Sequence, residues 1–568
     1  MKKKMQSINF NYQSSIKSFI LVAFFLLLQT GMKAQPSAVQ KSGKAVFSLT
    51  TFKAGGELLA TTYGVFTSKD GEAISLFSPF IGADSAVVID AQGKMHEVDV
   101  IMGANEIYDV CHFRVKGNTT PAVLATQHLT PGEKAWQVSY ALKKAPVTDM
   151  TVKKAEDFMG QYAFYQFNEI VEDNKLGCPI VNAQGEVVGL SQQAATTRDG
   201  QATDGRYANS FVIENGLAIS ENIYQRTGIR IDLPKEQKEA LNLLVLANAG
   251  GLTKNYAKYV DDFMRLFPTA TDGYTLKAQL LAARQQYAEA DATMQEAISN
   301  VDDKDVAHAD YARIIYNKVL YSQDSLYTEW TLDKALSEAN EAYNLKADPS
   351  YQHLQAQIIF SQQRYDEALH LFTALASSSL RNSEVFYEAA QCKANLKAPN
   401  AEIIALLDSA VAACPQPLTN ISAPYILARG RAYDQDGQYR KAIVDYYQYD
   451  SLMLGRASDD FYFIRYQCEL NMRQYQQALN DIAHAAYINP LPEYFIEMAS
   501  LQLRVSQPEN ALRSLEIAER NAPDNADIHL IRGLAYIQLK KKADGLASLE
   551  KAKALGDERA QPLIEKYK

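Results

Sequence analysis

Cysteine is scarce in this sequence, and its spacing leaves little to build with. Cys111, Cys178, Cys392, Cys414 and Cys468 are odd in number and include no CxxC pair. That pattern excludes a disulfide framework and offers no zinc-ligand spacing. Cys111 and Cys178 read as buried free thiols, since cysteine is a common core residue; a bridge between them is the alternative. Positive charge is also short: 57 Lys and Arg against 66 Asp and Glu give a net charge of −9. A chain of that sign repels phosphate, which argues against nucleic acid as a partner. No long apolar run follows residue 34, so no membrane span is expected in the mature chain. What remains is an ordinary globular composition, 47% hydrophobic and 22% charged. Its 568 residues exceed what one hydrophobic core usually serves.

The first 34 residues stand apart. Lys2, Lys3, Lys4 and Lys17 precede an apolar run over 19–28, and Gln29-Thr-Gly-Met-Lys-Ala34 follows it. A basic leader, a short apolar core and a small residue at the end describe a secretory signal peptide cut after Ala34. The run is too short to cross a bilayer as a helix. Cleavage removes five lysines and no acid, so the mature net charge is −9 − 5 = −14. The expected location is the periplasm or outer membrane of a Gram-negative bacterium.

From Lys44 onwards, apolar residues alternate with Gly, Asp and Asn punctuation, the pattern of short antiparallel strands. The clearest cover 45–51, 63–67, 86–89 and 186–190, and their number over 40–230 suggests a barrel or sandwich. Five landmarks then occur in order. They are Gly64-Val-Phe-Thr-Ser-Lys-Asp-Gly71, Ile74-Ser-Leu-Phe-Ser-Pro-Phe-Ile-Gly-Ala83, Asp109-Val-Cys-His-Phe-Arg-Val115, Asn174-Lys-Leu-Gly-Cys-Pro-Ile-Val181 and Ser210-Phe-Val-Ile213. Together they resemble the trypsin-like serine peptidases, especially the bacterial Deg-type branch, across 42–226. The resemblance implies an all-β double barrel, with Ser210–Ile213 as its final strand and 217–226 as a C-terminal helix.

The same resemblance implies a lost reaction centre. A triad needs a nucleophilic oxygen, an imidazole to take its proton and a carboxylate to orient the imidazole. Aligned on Gly177 and Pro179, the nucleophile position holds Leu176, whose side chain has no nucleophilic atom. The imidazole position, aligned on Gly82 and Ala83, holds Ser78. Asp109 alone remains, and the glycine of the oxyanion hole corresponds to Asn174. His96, His112 and His128 lie at other positions and read as surface or edge-strand residues. Cys178 sits two residues past the nucleophile position with no aligned base. Asp109 is expected to serve as an acceptor for local backbone N–H groups. No catalytic residue, metal or cofactor is expected.

After Pro234 the texture becomes helical and repetitive. Ala290, Ala368, Ala442, Ala478 and Ala511 each end a similar four-residue string, and Gly545 takes the last place. Successive spacings of 36, 33 and 34 separate residues 442, 478, 511 and 545, bracketing the 34-residue helical-hairpin period. With Gly430, Tyr433, Gly533, Tyr536 and Pro523 in frame, the region 236–568 resembles tetratricopeptide (TPR) repeats, about nine helical pairs. Ala335 and Ala342 mark a looser pair near Trp330. The fold class is therefore multidomain: a trypsin-like all-β double barrel followed by an all-α TPR solenoid. TPR arrays bind peptides or helices on a concave face, and Arg431, Gln467, Asn471 and Arg504 fall on groove-facing turns of first helices. Most of the 33 tyrosines are expected to pack between helices. The functional expectation is an exported, non-catalytic protein-binding scaffold. The alternatives are a peptidase with a rearranged site and a structural component of an envelope assembly.

Overall fold

The structure, a computed structural model, describes residues 36–194, 199–249, 253–322 and 326–568. The leader expected over 1–34 lies outside the described residues. The chain divides into two compact units, one ending at Asp302 and the other beginning at Asp303.

In the first unit, two closed six-stranded antiparallel barrels follow one another. The first comprises β1 (Val46–Phe52), β2 (Leu58–Phe66), β3 (Glu72–Ser75), β4 (Ser85–Ile89), β5 (Met95–Asn105) and β6 (Val110–Val115), ordered β1-β2-β3-β6-β5-β4. The second comprises β7 (Lys134–Val138), β8 (Val147–Phe158), β9 (Tyr162–Phe167), β10 (Pro179–Val181), β11 (Val187–Gln192) and β12 (Gln201–Asp204), ordered β10-β11-β12-β9-β8-β7. Strand alternation sends successive residues to opposite faces. Phe47 and Leu49 of β1 thus fill the first barrel, while Val46 joins Val65, Trp136, Val181 and Leu190 in a layer between the barrels. The double barrel is as expected, but its last strand is not. Ser210–Ile213 forms no strand; β12 closes the barrel, and its Asp204 caps a short helix, Gly205–Asn209. The side chain of Phe211 packs where a Cβ on Gly103 would sit 2.2 Å from it, which accounts for the apolar pattern there. Residues 216–225 form a 3-10 turn and one short helix rather than a continuous helix.

Four helices complete this unit: α1 (Gln237–Ala249), α2 (Thr253–Leu266), α3 (Thr271–Ala283) and α4 (Tyr287–Asn300). The first pair is not a separate body from the first barrel. Phe47, Phe80 and Phe113 share one continuous core with Ile229, Ile231 and Leu233 and with Leu243, Leu244, Val260 and Phe263 of α1 and α2. Ile231 forms a parallel bridge to Ile101 of β5, and its N–H donates to Tyr259 Oη. Arg230, 8% exposed, donates to Asp99 of β5 and to Asp262 of α2.

The second unit is all helix: α5 (Lys304–Tyr321) with α6 (Leu332–Leu345), α7 (Pro349–Ser361) with α8 (Tyr365–Leu375), and α9 (Ser383–Asn395) with α10 (Asn400–Ala412). It continues with α11 (Ala423–Gln435) and α12 (Tyr439–Met453), α13 (Asp459–Asn471) and α14 (Tyr475–Ile488), and α15 (Pro492–Arg504) and α16 (Pro508–Asn521). The last pair, α17 (Ala526–Gln538) and α18 (Lys542–Ala554), is covered by α19 (Ala560–Tyr567) through Ala560 and Ile564. The alanine anchors all face inward: Ala290, Ala368, Ala442, Ala478 and Ala511 are each 0% exposed. Helices meet so closely that a Cβ on Gly533 would lie 2.7 Å from Leu549 Cγ. Tyr433, Tyr446, Tyr462, Tyr466 and Tyr494 are buried, as a packing role requires.

From the α7–α8 hairpin to the α17–α18 hairpin each hairpin turn carries a left-handed residue; Gly437 serves α11–α12, while Gln363, Lys397, Arg473, Ser506 and Lys540 take φ near +60° in the others. The N–H of each following residue closes the first helix, as Gln507 N–H does on Gln502 O, so the left-handed turn is a helix C-cap. A side chain in that conformation costs about 1–2 kcal/mol, against about 0.5–1 kcal/mol for the extra freedom glycine loses.

Two substitutions in one hairpin should therefore move the melting temperature in opposite directions. Ala511→Leu overpacks the α15–α16 contact and should cost about 1–3 kcal/mol. Ser506→Gly should be neutral or stabilising by up to about 1 kcal/mol. Thermal denaturation of the two variants beside the parent checks both signs.

Candidate functional site

Ser78, Asp109 and Leu176 are each held by hydrogen bonds that involve the backbone. Ser78 opens a 3-10 turn, Ser78–Phe80, after β3. Asp109, on the tight β5–β6 turn with φ of 45°, points its carboxylate at the start of that turn. Its Oδ1 accepts from the N–H groups of Phe77 (2.9 Å) and Ser78 (2.6 Å), and its Oδ2 from Ser78 Oγ (3.0 Å). Ser78 and Asp109 are thus brought together, and the carboxylate acts as a cap on two backbone donors.

Leu176 follows a 3-10 turn, Asp173–Lys175, in the second barrel and lies against β2 of the first. Its carbonyl accepts from Thr62 Oγ1 (2.9 Å) and Tyr63 N–H (3.3 Å). Gly177 makes this approach possible: φ is +80°, and a Cβ there would stand 2.3 Å from Tyr63 O. Within the loop, Gly177 N–H donates to Ser191 O, Cys178 N–H to Lys175 O and Lys175 N–H to Glu172 O. Ser191 Oγ in turn donates to Lys175 O and Cys178 O. Asn174 is exposed.

Of the remaining nucleophile and base candidates, all but His128 are buried. Cys178 is fully buried, and desolvation pushes its thiol up to about 12, so no thiolate forms near neutral pH. All five cysteines are free and buried. His96 and His112, read from the sequence as surface or edge residues, are instead 2% and 3% exposed; only His128 is exposed. His96 Nδ1 meets Lys116 O and its Nε2 meets Asp90 Oδ2 at 3.2 Å, while His112 Nδ1 meets Phe211 O. Strand alternation misplaced them because a closed barrel packed on a second barrel leaves little outward face in water. His112, whose Nε2 lies 3.4 Å from Glu72 Oε2, lowers the Glu72 carboxyl below its ordinary value. Among the described residues, no group of three or more His, Cys, Asp or Glu side chains is arranged to hold a metal ion.

Residues that pin this region were not marked by any motif. Gln192 of β11 reaches across to the carbonyls of Tyr108 and Asp109, fixing the β5–β6 turn from the second barrel. Thr62 and Tyr63 do the same for the Leu176 carbonyl. Only their place in the tertiary fold gives them this role.

In the second unit, Arg431, Gln467, Asn471 and Arg504 are all exposed on first helices. Arg504 also sits 5.8 Å from the Tyr475 ring centroid. Between the helices lies a recurring ion-pair unit that the sequence frame missed. Arg429 clamps Asp445 through Nε and Nη2 (2.9 and 2.8 Å) and reaches Asp408 at 3.2 Å. Arg465 repeats this on Asp481 (2.6 and 2.8 Å) and Asp450 (2.8 Å). Each arginine therefore joins its own second helix to the second helix before it. Arg429 to Arg465 and Asp445 to Asp481 are both 36 residues apart, the spacing of Ala442 and Ala478, so a signal was present.

Known families match part of this second unit. The tetratricopeptide repeat family model matches residues 353–416 and 496–560. These segments cover the α7–α10 and α15–α18 hairpins, so the chain contains TPR repeats. No curated protein matches the sequence.

The capping geometry sets a graded expectation for Asp109. Asp109→Ala removes the acceptor for two backbone donors and should cost about 0.5–2 kcal/mol, the range for a lost cap. Asp109→Asn keeps one acceptor oxygen and should cost less. Urea denaturation should rank the parent, Asn and Ala forms in that order; equal loss in both variants would show that charge, not capping, matters.

Proposed function

We propose that this chain is an exported, non-catalytic scaffold of the cell envelope. In this reading the double barrel is a pseudopeptidase that docks a protein, and the repeats bind further protein partners on their concave face. The observation that carries it is Leu176 at the nucleophile position, beside an Asp109 whose carboxylate is engaged by backbone donors and Ser78. An aliphatic side chain cannot attack a carbonyl, and Ser78 cannot take a proton as an imidazole does. TPR repeats support the protein-binding half, since stacked hairpins present an extended surface for peptides or helices. Arg431, Gln467, Asn471 and Arg504 are the side chains proposed to meet that partner. No helix among the described residues is long and apolar enough to cross a membrane. Export rests on the leader pattern of residues 1–34.

The reading predicts silence toward active-site probes. Folded protein should take no label from a fluorophosphonate or from a thiol-directed electrophile at residues 36–230. Leu176→Ser alone should add no hydrolysis of a casein or peptide substrate, because no base stands at Ser78. Specific labelling of the parent, or turnover that survives Leu176 substitution, would favour a rearranged peptidase instead. Pull-downs from envelope extract with the parent and an Arg431→Glu/Arg504→Glu variant test the binding half: a partner captured by both forms equally removes these residues from the interface.

A further inference from the structure

The seam where α13 packs between α12 and α14 holds a buried acid with no ordinary structural justification. Glu469 is 0% exposed, and its Oε2 has no hydrogen-bond partner. Oε1 accepts from Tyr447 Oη of α12 at 2.8 Å. An unpaired carboxylate in such a place is strongly disfavoured; a protonated one becomes a donor.

The neighbouring charges point the same way. From α14 comes Asp481, 6% exposed and clamped by Arg465. From α12 come Asp450, also on Arg465, and the phenol of Tyr447. On α13 itself are Arg465, Tyr462, which donates to Asp450, and Cys468, a thiol kept neutral by burial. One cation thus faces two aspartates already. An ionised Glu469 would make the cluster −2; a protonated one leaves it at −1. All three Arg465 nitrogens donate to these two aspartates, and the guanidinium is ringed by Tyr447, Phe461 and Tyr462, with centroids 4.7–5.2 Å away, which holds it there.

We propose that this seam is a proton-operated clasp: Glu469 stays protonated while the seam is closed, and loss of that proton, which would put a further negative charge beside Asp481 and Asp450, loosens α12, α13 and α14 from one another. Burial first, and then the Asp481 charge, raises the Glu469 carboxyl to about 7, which places the change in the physiological range. Because the folded-state value lies above the unfolded one, near 4.3, the clasp contributes fully below about pH 4.5. Its contribution declines as pH rises through about 7. Gln467 and Asn471 lie two residues either side of Glu469, about 200° round the helix, and both are exposed. One helix therefore carries the proton on its packed face and groove-facing side chains on the other.

The test uses the full chain and requires no partner. Hydrogen-exchange protection of peptides from 459–488, corrected for intrinsic rates, should fall about tenfold between pH 6.0 and 8.5 in the parent. Glu469→Gln, which keeps the shape and donor of the protonated acid, should remove that pH dependence. Tyr447→Phe removes the donor that favours the ionised acid and should move the midpoint to higher pH. Protection that is flat with pH in the parent, or equally pH-dependent in Glu469→Gln, overturns the proposal. If Glu469→Gln fails to fold, an unshifted midpoint in Tyr447→Phe overturns it alone.

Discussion

One apolar core, running from the first barrel through residues 229–233 into α1 and α2, determines how the first unit is built. Barrel aromatics Phe47, Phe80 and Phe113 and helix residues Leu243, Val260 and Phe263 exclude water together rather than in two separate interiors. A seam of that kind commits charged groups as well. Arg230 can be buried only because Asp99 comes from the barrel and Asp262 from the helix, and removing either aspartate would leave an under-paired cation in low dielectric. The Arg114–Asp232 pair, bidentate at 3.2 and 3.0 Å, stitches the same segment from outside.

The contact between the barrels is built by a different means. Polar contacts at Ser78, Asp109 and Leu176 hold the turns of the first barrel and the seam between the two barrels in register. Asp109 caps the turn at Ser78, Gln192 holds the Asp109 turn, and the Leu176 carbonyl rests on Thr62 and Tyr63. These interactions are individually modest, on the order of 1 kcal/mol each. Their value is positional: every one spans either two strands or two barrels.

Much of the architecture was legible in the sequence because it depends on local, periodic rules. Alternation marked β1, β4 and β11 closely and β2 only in its second half, and the alanine anchors marked the hairpins. The failures share a cause. His96 and His112 read as surface or edge-strand residues because a strand pattern gives two faces but cannot tell that both are covered. Ser210–Ile213 has strand composition, yet it serves Gly103 and His112 as a packing segment while β12, with the polar string Gln201-Ala-Thr-Asp204, supplies the pairing. Glu469 was invisible for a related reason: a glutamate in a helix looks like solvated surface until its neighbours on two other helices are known. The left-handed hairpin turns were hidden because glycine, the usual signal, occurs at only one of those positions named here, Gly437.

The arginines between hairpins have a further consequence for how such an array can change length. Arg429 and Arg465 each belong to two neighbouring modules, holding one aspartate inside their own and borrowing another from the module before. Excising or duplicating a single module here would strand a guanidinium or an acid at the new joint. The stretch from Asp408 to Asp481 is therefore bound together by shared charges as well as by packing.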